Sequence, residues 1–319
     1  MWLDRSRTTL PSVRVYHCDG YAMPLPEGHR FPQTKYRLLR ERLLSEGVLS
    51  PGELVEAEPI EPWALRLAHT DAYVDAILDG ALTPADERKL GFPWSEGLVQ
   101  RSRASVGGTV SAARAALDGG AGQLIAGNLA GGTHHAFAGR GEGYCVFNDH
   151  AVTVRLLQRE GLIERALIVD LDVHQGNGTA AIFAGDDSVL TFSMHGAKNF
   201  PFRKERSSLD VDLPDGCGDA GYLGLLEQHL PRLLEQSKAD LLLYQAGVDP
   251  LAEDGLGRLD LSLDGLRARD RFVLRLARAH ALPIVLTLGG GYAKPISLSV
   301  EAHLGTYREA RAVFGPAAR

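Results

Sequence analysis

Three residues with metal-binding side chains alternate near the middle of the chain: Asp170, Asp172 and His174. In an extended segment, residues two apart point to the same side, so these three would face one way while Leu171 and Val173 face the other. A single acidic residue at a strand end is usually a helix cap or a solvated loop residue. Two carboxylates this close repel each other unless a cation or hydrogen bonds compensate for their charge. Together with the histidine they therefore predict a metal site.

Asp249 is a further candidate ligand, because it follows another apolar segment in the motif QAGVD. With Asp172 and His174 it would offer two oxygens and one nitrogen and leave a position open for water, as in catalytic zinc sites. Fe²⁺ and Mn²⁺ accept the same donors. The metal, whether Zn²⁺ or one of these ions, would polarise a carbonyl and lower the pKa of its water. The two carboxylates neutralise much of the metal's charge, so a separate base is needed.

The motif GGTHH places His134 and His135 directly after a glycine turn, where the backbone can come close to a ligand. One imidazole can act as general base on the water, while the other stays cationic and assists the leaving amine. Two ordinary loop histidines are the competing interpretation. Tyr292, which follows the glycines at 289–291, could donate its O–H to a developing oxyanion. Taken alone, a GGGY turn is more often only a turn.

The segments around these motifs show the periodicities of buried strands and amphipathic helices. Helical spacing extends over residues 33–46, 106–117, 222–234 and 263–281, and Pro231 is expected to bend or split the third of these helices. Short apolar segments cover residues 124–126, 166–169, 189–192, 241–244 and 283–286. This alternation predicts an α/β fold with a mostly parallel sheet covered by helices on both faces.

The chemically distinctive motifs follow the five predicted strands in turn: GNLAGGTHH, DLDVHQGNG, SMH, QAGVD and TLGGGY. Sites in parallel sheets form outside the carboxyl ends of the strands, so we expect these motifs to converge on one edge. No linker or repeat divides the chain. We therefore predict a flexible N-terminus over residues 1–12 and a single catalytic domain over residues 13–319.

The composition is that of an ordinary globular enzyme, with 45% hydrophobic and 23% charged residues. A formal net charge of −6 argues against direct nucleic-acid binding, and a mildly acidic rim would favour a cationic substrate. Three cysteines without close spacing predict no disulfide framework. Neither a signal-peptide pattern nor an apolar segment of membrane-spanning length is present, so we expect a cytoplasmic protein. The oligomeric state stays open.

Taken together, the motifs GGTHH, GEGYCVFND, DLDVHQGNGT, QAGVDPLAED and GGGY resemble those of the zinc-dependent histone deacetylase superfamily, which has the arginase–deacetylase fold. The likeness extends from about Tyr16 to the C-terminal helix. HRFPQTKY and DLDVHQGNG look most like the class IV branch and its bacterial relatives. The resemblance implies a hydrolase that deacylates an N-acylated lysine, in a peptide or protein, or a similar small amine. It leaves open whether the acyl group is acetyl or longer.

The resemblance also implies individual roles at the site. The zinc ligands would be Asp172, His174 and Asp249. The acid/base pair would be His134 and His135, with Tyr292 bound to the scissile carbonyl. Asp170 would be the hydrogen-bond partner of His134, and Asn177 that of His135. Many relatives have an aspartate in place of Asn177, and an amide stabilises an imidazolium less well, so His135 should have a lower pKa here.

A structural K⁺ ion and an acyl-lysine channel are implied in the same way. The K⁺ ligands would come from Asp170, Ser193 and the backbones of Asp172, His174 and Met194. The channel walls would include Gly143, Tyr144 and Phe200. The loop at 198–208 departs from the common pattern, which makes the position of Phe200 the loosest of these expectations.

Other metal-dependent or binding functions fit the sequence less well. A binuclear amidinohydrolase of the arginase type shares the fold but needs further carboxylates where this chain has Gly176 and Leu251. A catalytically inactive acyl-lysine-binding module would not need the catalytic side chains, all of which are present. A nucleophilic Cys145 paired with a histidine is conceivable, but no flanking feature indicates an activated thiolate.

A dinucleotide-binding oxidoreductase is a rival of a different class. Gly216, Gly218 and Gly221 form a GxGxxG match before a predicted helix. A lone match is weak, and the preceding LDVDLP alternates charged and apolar residues, unlike a buried strand. An ordered loop that leads into the helix is the simpler interpretation.

Overall fold

All five apolar segments predicted as strands contribute to one sheet. The computed structural model describes residues 13–119 and 124–315, so the flexibility predicted for residues 1–12 lies outside the described residues. The strands are β1 (Arg14–His17), β2 (Leu54–Glu56), β3 (Ile125–Asn128), β4 (Ala166–Asp170), β5 (Val189–Gly196), β6 (Leu209–Leu213), β7 (Leu241–Gln245) and β8 (Ile284–Thr287). Their order is β2-β1-β3-β8-β7-β4-β5-β6, and every neighbouring pair is parallel. The predicted α/β fold is confirmed.

Helices connect the strands, as expected for parallel neighbours. They are α1 (Thr34–Ser45), α2 (Pro62–Leu65), α3 (Asp71–Leu78), α4 (Pro84–Leu90), α5 (Glu96–Asp118), α6 (Asp149–Arg159), α7 (Asn177–Ile182), α8 (Asp219–Ser237), α9 (Leu263–Ala279) and α10 (Ile296–Phe314). The four predicted helices correspond to α1, α5, α8 and α9. The predicted split at Pro231 is wrong, because α8 continues through this residue while Leu230, Leu233 and Leu234 stay buried in the core.

Both faces of the sheet are covered by apolar cores. Along β4, Leu167 and Val169 pack into the core shared with α1, α8, α9 and α10. Ala166 and Ile168 point the other way, into the core shared with α3, α5 and α6. Side chains alternate across a strand, so an apolar residue at every position requires cover on both sides. This explains why the strands appear in the sequence as continuous apolar segments.

The carboxyl ends of β3, β4, β7 and β8 lie side by side and carry four of the predicted motifs. SMH does not follow a strand as predicted: Ser193–His195 lie within β5, which pairs with β6 as far as Gly196. Gly216 and Gly218 lie between the edge strand β6 and α8, which agrees with an ordered loop. None of the helices in the described ranges has the length and apolarity needed to cross a membrane. All three cysteines are free thiols.

Candidate active site

The loop after β4 brings Asp172 and His174 together with Asp249, which lies in the loop after β7. His174 Nδ1 is 2.9 Å from Asp172 Oδ1 and 3.1 Å from Asp249 Oδ2. One ligand atom from each residue lies within 4.8 Å of the others. Leu171 and Val173, between the polar residues, are buried in the core, as the alternation predicts. The structure thus assembles the predicted metal ligands.

Hydrogen bonds from the backbone hold this loop in shape. The Asp172 N–H donates to Asp170 Oδ1, and the His174 N–H donates to Asp172 Oδ1. The Val173 N–H donates to Asp249 Oδ1 across a distance of 2.8 Å. Each carboxylate therefore has one oxygen that supports the backbone. Asp172 and Asp249 are left with further lone pairs for a cation.

The pKa shifts of the three clustered residues indicate a site where negative charge needs a compensating cation. Burial raises the pKa of Asp249, and the neighbouring charge of Asp172 raises it further. Burial also opposes ionisation of Asp172, but His134 and His174 outweigh this effect and lower its pKa. Burial would lower the pKa of His174, yet its hydrogen bonds to the two carboxylates raise it to about 10. A divalent ion would replace the His174 proton as the compensating charge, and this donor set fits Zn²⁺, Fe²⁺ or Mn²⁺.

The tandem histidines stand next to the triad, each with a different partner. His134 Nδ1 is 2.6 Å from Asp170 Oδ2, and His135 Nδ1 is 2.7 Å from Asn177 Oδ1. The two ring centroids are 4.1 Å apart. Since the Asn177 oxygen can only accept, Nδ1 of His135 carries the proton and Nε2 carries a free lone pair.

The surroundings of the two histidines shift their pKa values in opposite directions. Burial would lower the pKa of His134, but the carboxylates of Asp170 and Asp172 raise it to about 9. Burial also lowers the pKa of His135, and the nearby His134 and His174 lower it further, well below its usual value. In the metal-free protein these shifts favour an imidazolium at His134 and a neutral imidazole at His135. Two such groups side by side can supply an acid and a base.

Asp149 is a supporting residue that the sequence analysis did not identify. Its carboxylate accepts hydrogen bonds from the backbone N–H of Gly132 and from both the N–H and the hydroxyl of Thr133. Gly132 has a φ of 66°, and a Cβ added there would collide with the Gln245 side chain. The sequence shows only an acidic residue directly after Asn148. Such a residue usually just stabilises the N-terminus of a helix, so it did not point to a role at the site.

Tyr292 lines the same cavity as the metal triad and the histidine pair. Its backbone N–H donates to Asp254 Oδ2 at 2.7 Å, and its ring stacks on that of Tyr144 with the centroids 6.1 Å apart. Burial raises the pKa of the phenol well above its usual value, so Tyr292 keeps its proton. Gly290 has a φ of 62°, and a Cβ there would collide with the Asp249 carboxylate.

Lys35 is a second residue whose role was missed. It comes from α1, is buried, and donates from Nζ to the carbonyl oxygen of Gly290. Its Nζ also lies 5.4 Å from the centroid of the Tyr292 ring. Burial lowers the pKa of Lys35 to about 8, against the opposing effect of Asp249 and Asp254. Lys35 therefore ties the glycine loop that carries Tyr292 to α1.

The cavity has a volume of about 670 Å³, and the predicted wall residues Gly143, Tyr144 and Phe200 all line it. The Phe200 ring stands edge-on to His135, with the centroids 5.0 Å apart. Phe200 therefore lines the cavity beside the histidine pair, although its loop departs from the common pattern. Ser193 of β5 is paired with Asp170 of β4, so these two of the implied K⁺ ligands are neighbours in the sheet.

Comparison with known proteins identifies a protein family and several relatives that this chain is similar to. Residues 29–306 match the family model of the histone deacetylase domain. An uncharacterized protein of Picosynechococcus is 49% identical over 94% of this chain and 98% of its own length. Histone deacetylase 2 of Arabidopsis thaliana is 32% identical, over 89% of this chain and 76% of that protein. The acetoin utilization protein AcuC of Staphylococcus aureus is 31% identical, over 82% and 72%.

Solved structures show the same architecture. The crystal structure of an HDAC homolog from Aquifex aeolicus superimposes with a TM-score of 0.78 at 24% identity, over 95% of this chain and 88% of that one. An HDAC homolog complexed with SAHA also gives a TM-score of 0.78, at 23% identity and with the same coverage. At this identity the likeness concerns the fold.

Proposed function

This chain belongs to the histone deacetylase family, and we propose that it is a zinc-dependent hydrolase that deacylates an N-acylated lysine or a similar amine. The observation that carries the proposal is the shared cavity of the metal triad and two adjacent histidines, one hydrogen-bonded to a carboxylate and the other to an amide oxygen, whose pKa values shift in opposite directions. Neither a binding module nor a purely structural protein needs a neutral imidazole beside an imidazolium. Such a pair is what a hydrolase uses to move a proton.

The residues of the chain divide the reaction between them. A bound zinc ion would supply Lewis acidity for the carbonyl and a lowered pKa for a water molecule. His135 accepts a proton from the attacking water at Nε2, because its Nδ1 is already bonded to Asn177. Tyr292 donates its O–H to the developing oxyanion. The amide C–N bond then breaks, a protonated histidine gives its proton to the leaving nitrogen, and a carboxylate and an amine result.

We extend the proposal to a structural K⁺ ion. Asp170, Ser193 and the backbones of Asp172, His174 and Met194 would bind it. Support comes from the pairing of Asp170 with Ser193 in neighbouring strands. A monovalent ion there would lie behind the loop that carries two zinc ligands. It would fix the loop without joining the chemistry.

The rival functions lack the residues that they need. Leu251 is buried in the apolar core, and a Cβ at Gly176 would collide with the Asp170 carboxylate, so neither position offers a ligand for a second metal. The triad is the one group with metal-binding spacing among the described residues. Burial raises the pKa of Cys145, which keeps it a thiol rather than a thiolate nucleophile.

The direct test is a substrate panel on protein loaded with one equivalent of zinc. We expect turnover of acetyl-lysine or longer acyl-lysine peptides, or of an acetylated polyamine, and inhibition by a hydroxamate that chelates the metal. Comparing acetyl with long-chain acyl groups on the same peptide measures the acyl preference. If zinc-loaded protein turns over none of them, the function is binding rather than hydrolysis.

Asn177→Asp is expected to shift the pH profile. A carboxylate stabilises the His135 imidazolium better than an amide does, so the pKa of His135 should rise by about one unit or more. The base must be deprotonated to act, so the acidic limb of log kcat/KM against pH should move to higher pH by the same amount. An acidic limb that stays in place would show that another group is the base.

A further inference from the structure

The opening of the active-site cavity carries an excess of positive charge. Four exposed basic residues line the cavity, and we call them the cationic rim: Arg88, Lys89, Lys198 and Arg258. Among the described lining residues, Glu142 is the one carboxylate apart from the metal ligands Asp172 and Asp249. The rim is therefore positive although the whole chain has a net charge of −6. The net charge suggested a mildly acidic rim, and this expectation is wrong for the described residues that line the cavity.

Acidic neighbours compensate for this charge only in part. Lys198 Nζ and Arg258 Nη1 both approach Asp215 Oδ2, at 3.5 and 3.4 Å, so two cations share one carboxylate. Arg88 and Lys89 form no ion pair within the described residues, although hydrogen bonds from Thr83, and to a lesser extent the charge of Lys89, lower the pKa of Asp86 in the same helix. Glu142, for its part, is 3.5 Å from Arg140, which lies outside the lining. Each of these contacts is partly exposed and weakened by solvent.

Helix stabilisation is an alternative explanation for two of the four basic residues but not for the other two. Arg88 and Lys89 lie in the last turn of α4, where basic residues also stabilise the carboxyl end of a helix. Helix stabilisation does not explain Lys198 and Arg258, which lie in separate loops after β5 and β7. Three elements that are distant in sequence thus bring like charges to one opening. Arranging them together costs repulsion, which an oppositely charged ligand would relieve.

The same opening carries apolar surface. Phe202 is 88% exposed and Leu256 is 40% exposed, and both line the cavity. An extended peptide segment can place apolar and acidic side chains on either side of one acylated lysine. A small polyamine has no such side chains, and its other amines are positively charged. The rim therefore complements an acidic peptide segment and repels a polyamine.

We propose that the substrate is an acylated lysine within an acidic segment of a peptide or protein, with carboxylates flanking the lysine. This inference rests on the proposed deacylase function and specifies its substrate class. The flanking carboxylates approach the cationic rim while the acyl-lysine enters the cavity between Tyr144 and Phe200. Attraction at the opening raises the rate of productive encounter more than it changes the chemical step.

The test compares three acyl-lysine peptides that differ only in their flanking residues, which are glutamate, glutamine or lysine. At low salt, we expect kcat/KM for the glutamate peptide to exceed that for the lysine peptide by roughly tenfold or more, with the glutamine peptide between them. The difference should shrink severalfold at high salt, because exposed charges are screened. The acetylpolyamine should be the poorest substrate.

Charge-reversal variants locate the effect. Arg88→Glu with Lys89→Glu should abolish the preference for the glutamate peptide, and so should Lys198→Glu with Arg258→Glu, because either pair brings the four charges of the rim to a sum of zero. The matched control is Arg232→Glu with Arg275→Glu, which makes the same change in net charge at exposed positions of α8 and α9 outside the cavity. This control should keep the preference for the glutamate peptide. Circular dichroism checks that each variant is folded.

The possible outcomes separate this inference from the proposed function. Equal kcat/KM for the three peptides, or a preference for the lysine peptide or the polyamine, overturns the cationic rim as the specificity determinant and leaves the deacylase intact. A preference that the control variant also loses overturns it as well, because the effect then follows net charge. No turnover of any substrate by zinc-loaded protein overturns the proposed function itself.

Discussion

Asp249→Asn is expected to lower kcat/KM by about a thousandfold or more, because a neutral amide is a poor ligand for a divalent ion in this donor set. The substitution is nearly isosteric, and the amide oxygen can still accept the hydrogen bond from the Val173 N–H. The loop should therefore keep its shape while the site loses a charge. Metal analysis of the purified variant should show well under one equivalent of zinc.

The same variant should change the stability of the metal-free protein much less than it changes zinc binding. Burial and the charge of Asp172 raise the pKa of Asp249 when the chain is folded. A carboxyl whose folded pKa is raised stabilises the fold at low pH and loses this contribution as the pH rises towards the folded pKa. At neutral pH, close to the folded pKa of about 7, part of this contribution is already lost in the metal-free fold. Asp249→Asn removes the cost of ionising this buried carboxyl, but it also removes the carboxylate that hydrogen-bonds to the charged His174, so its Tm without metal should stay close to that of the unaltered protein.

Zinc addition distinguishes the two effects. The unaltered protein should gain thermal stability with zinc, since a ligand that binds only the folded state stabilises it by mass action, and the variant should gain almost none. Asp260→Ala, at an exposed position further along the same loop, is the matched control and should behave like the unaltered protein. Full zinc content and full turnover in the Asn variant would rule out Asp249 as a ligand.

The sequence predicts the core of this architecture because burial on both faces leaves a strong signal. The strands β3, β4, β5, β7 and β8 are continuous apolar segments, and the motifs after four of them meet at the sheet edge. The alternation of Asp172 and His174 with buried Leu171 and Val173 fixes which side chains face the cavity. Side chains in an extended segment alternate between two faces, so once one set is buried in the apolar core the other set must point the opposite way.

Other features leave almost no local signal. β1 and β2 have four and three residues, and β2 is mostly exposed, so no periodicity identifies them. Lys35 looks like any helix-surface lysine, and only the packing of α1 near the glycine loop shows that it is buried. The cationic rim combines residues from α4 and two distant loops. The net charge of the whole chain therefore predicted the wrong sign for the charge at the cavity opening. Properties that depend on which loops meet cannot be inferred from one segment at a time.

Tyr292→Phe is expected to lower kcat by about a hundredfold to a thousandfold, as the loss of one oxyanion donor typically does. Phenylalanine keeps the ring that stacks on Tyr144 and lies near Lys35 Nζ, so only the O–H is removed. Because burial raises the pKa of this phenol well above its usual value, the lost group is a donor throughout the neutral range. Steady-state kinetics should show a fall in kcat with a much smaller change in KM.

That split between kcat and KM is what separates oxyanion stabilisation from substrate binding. A donor that acts only on the developing charge contributes to the transition state and not to the ground state, so its loss appears in kcat. Zinc content should be unchanged, which distinguishes this variant from Asp249→Asn. Tyr21→Phe removes a phenol outside the cavity lining and should leave kcat as it is. A Tyr292→Phe variant with kcat within threefold of the unaltered protein would mean that the oxyanion is stabilised without the phenol, and the zinc ion alone would then have to supply that stabilisation.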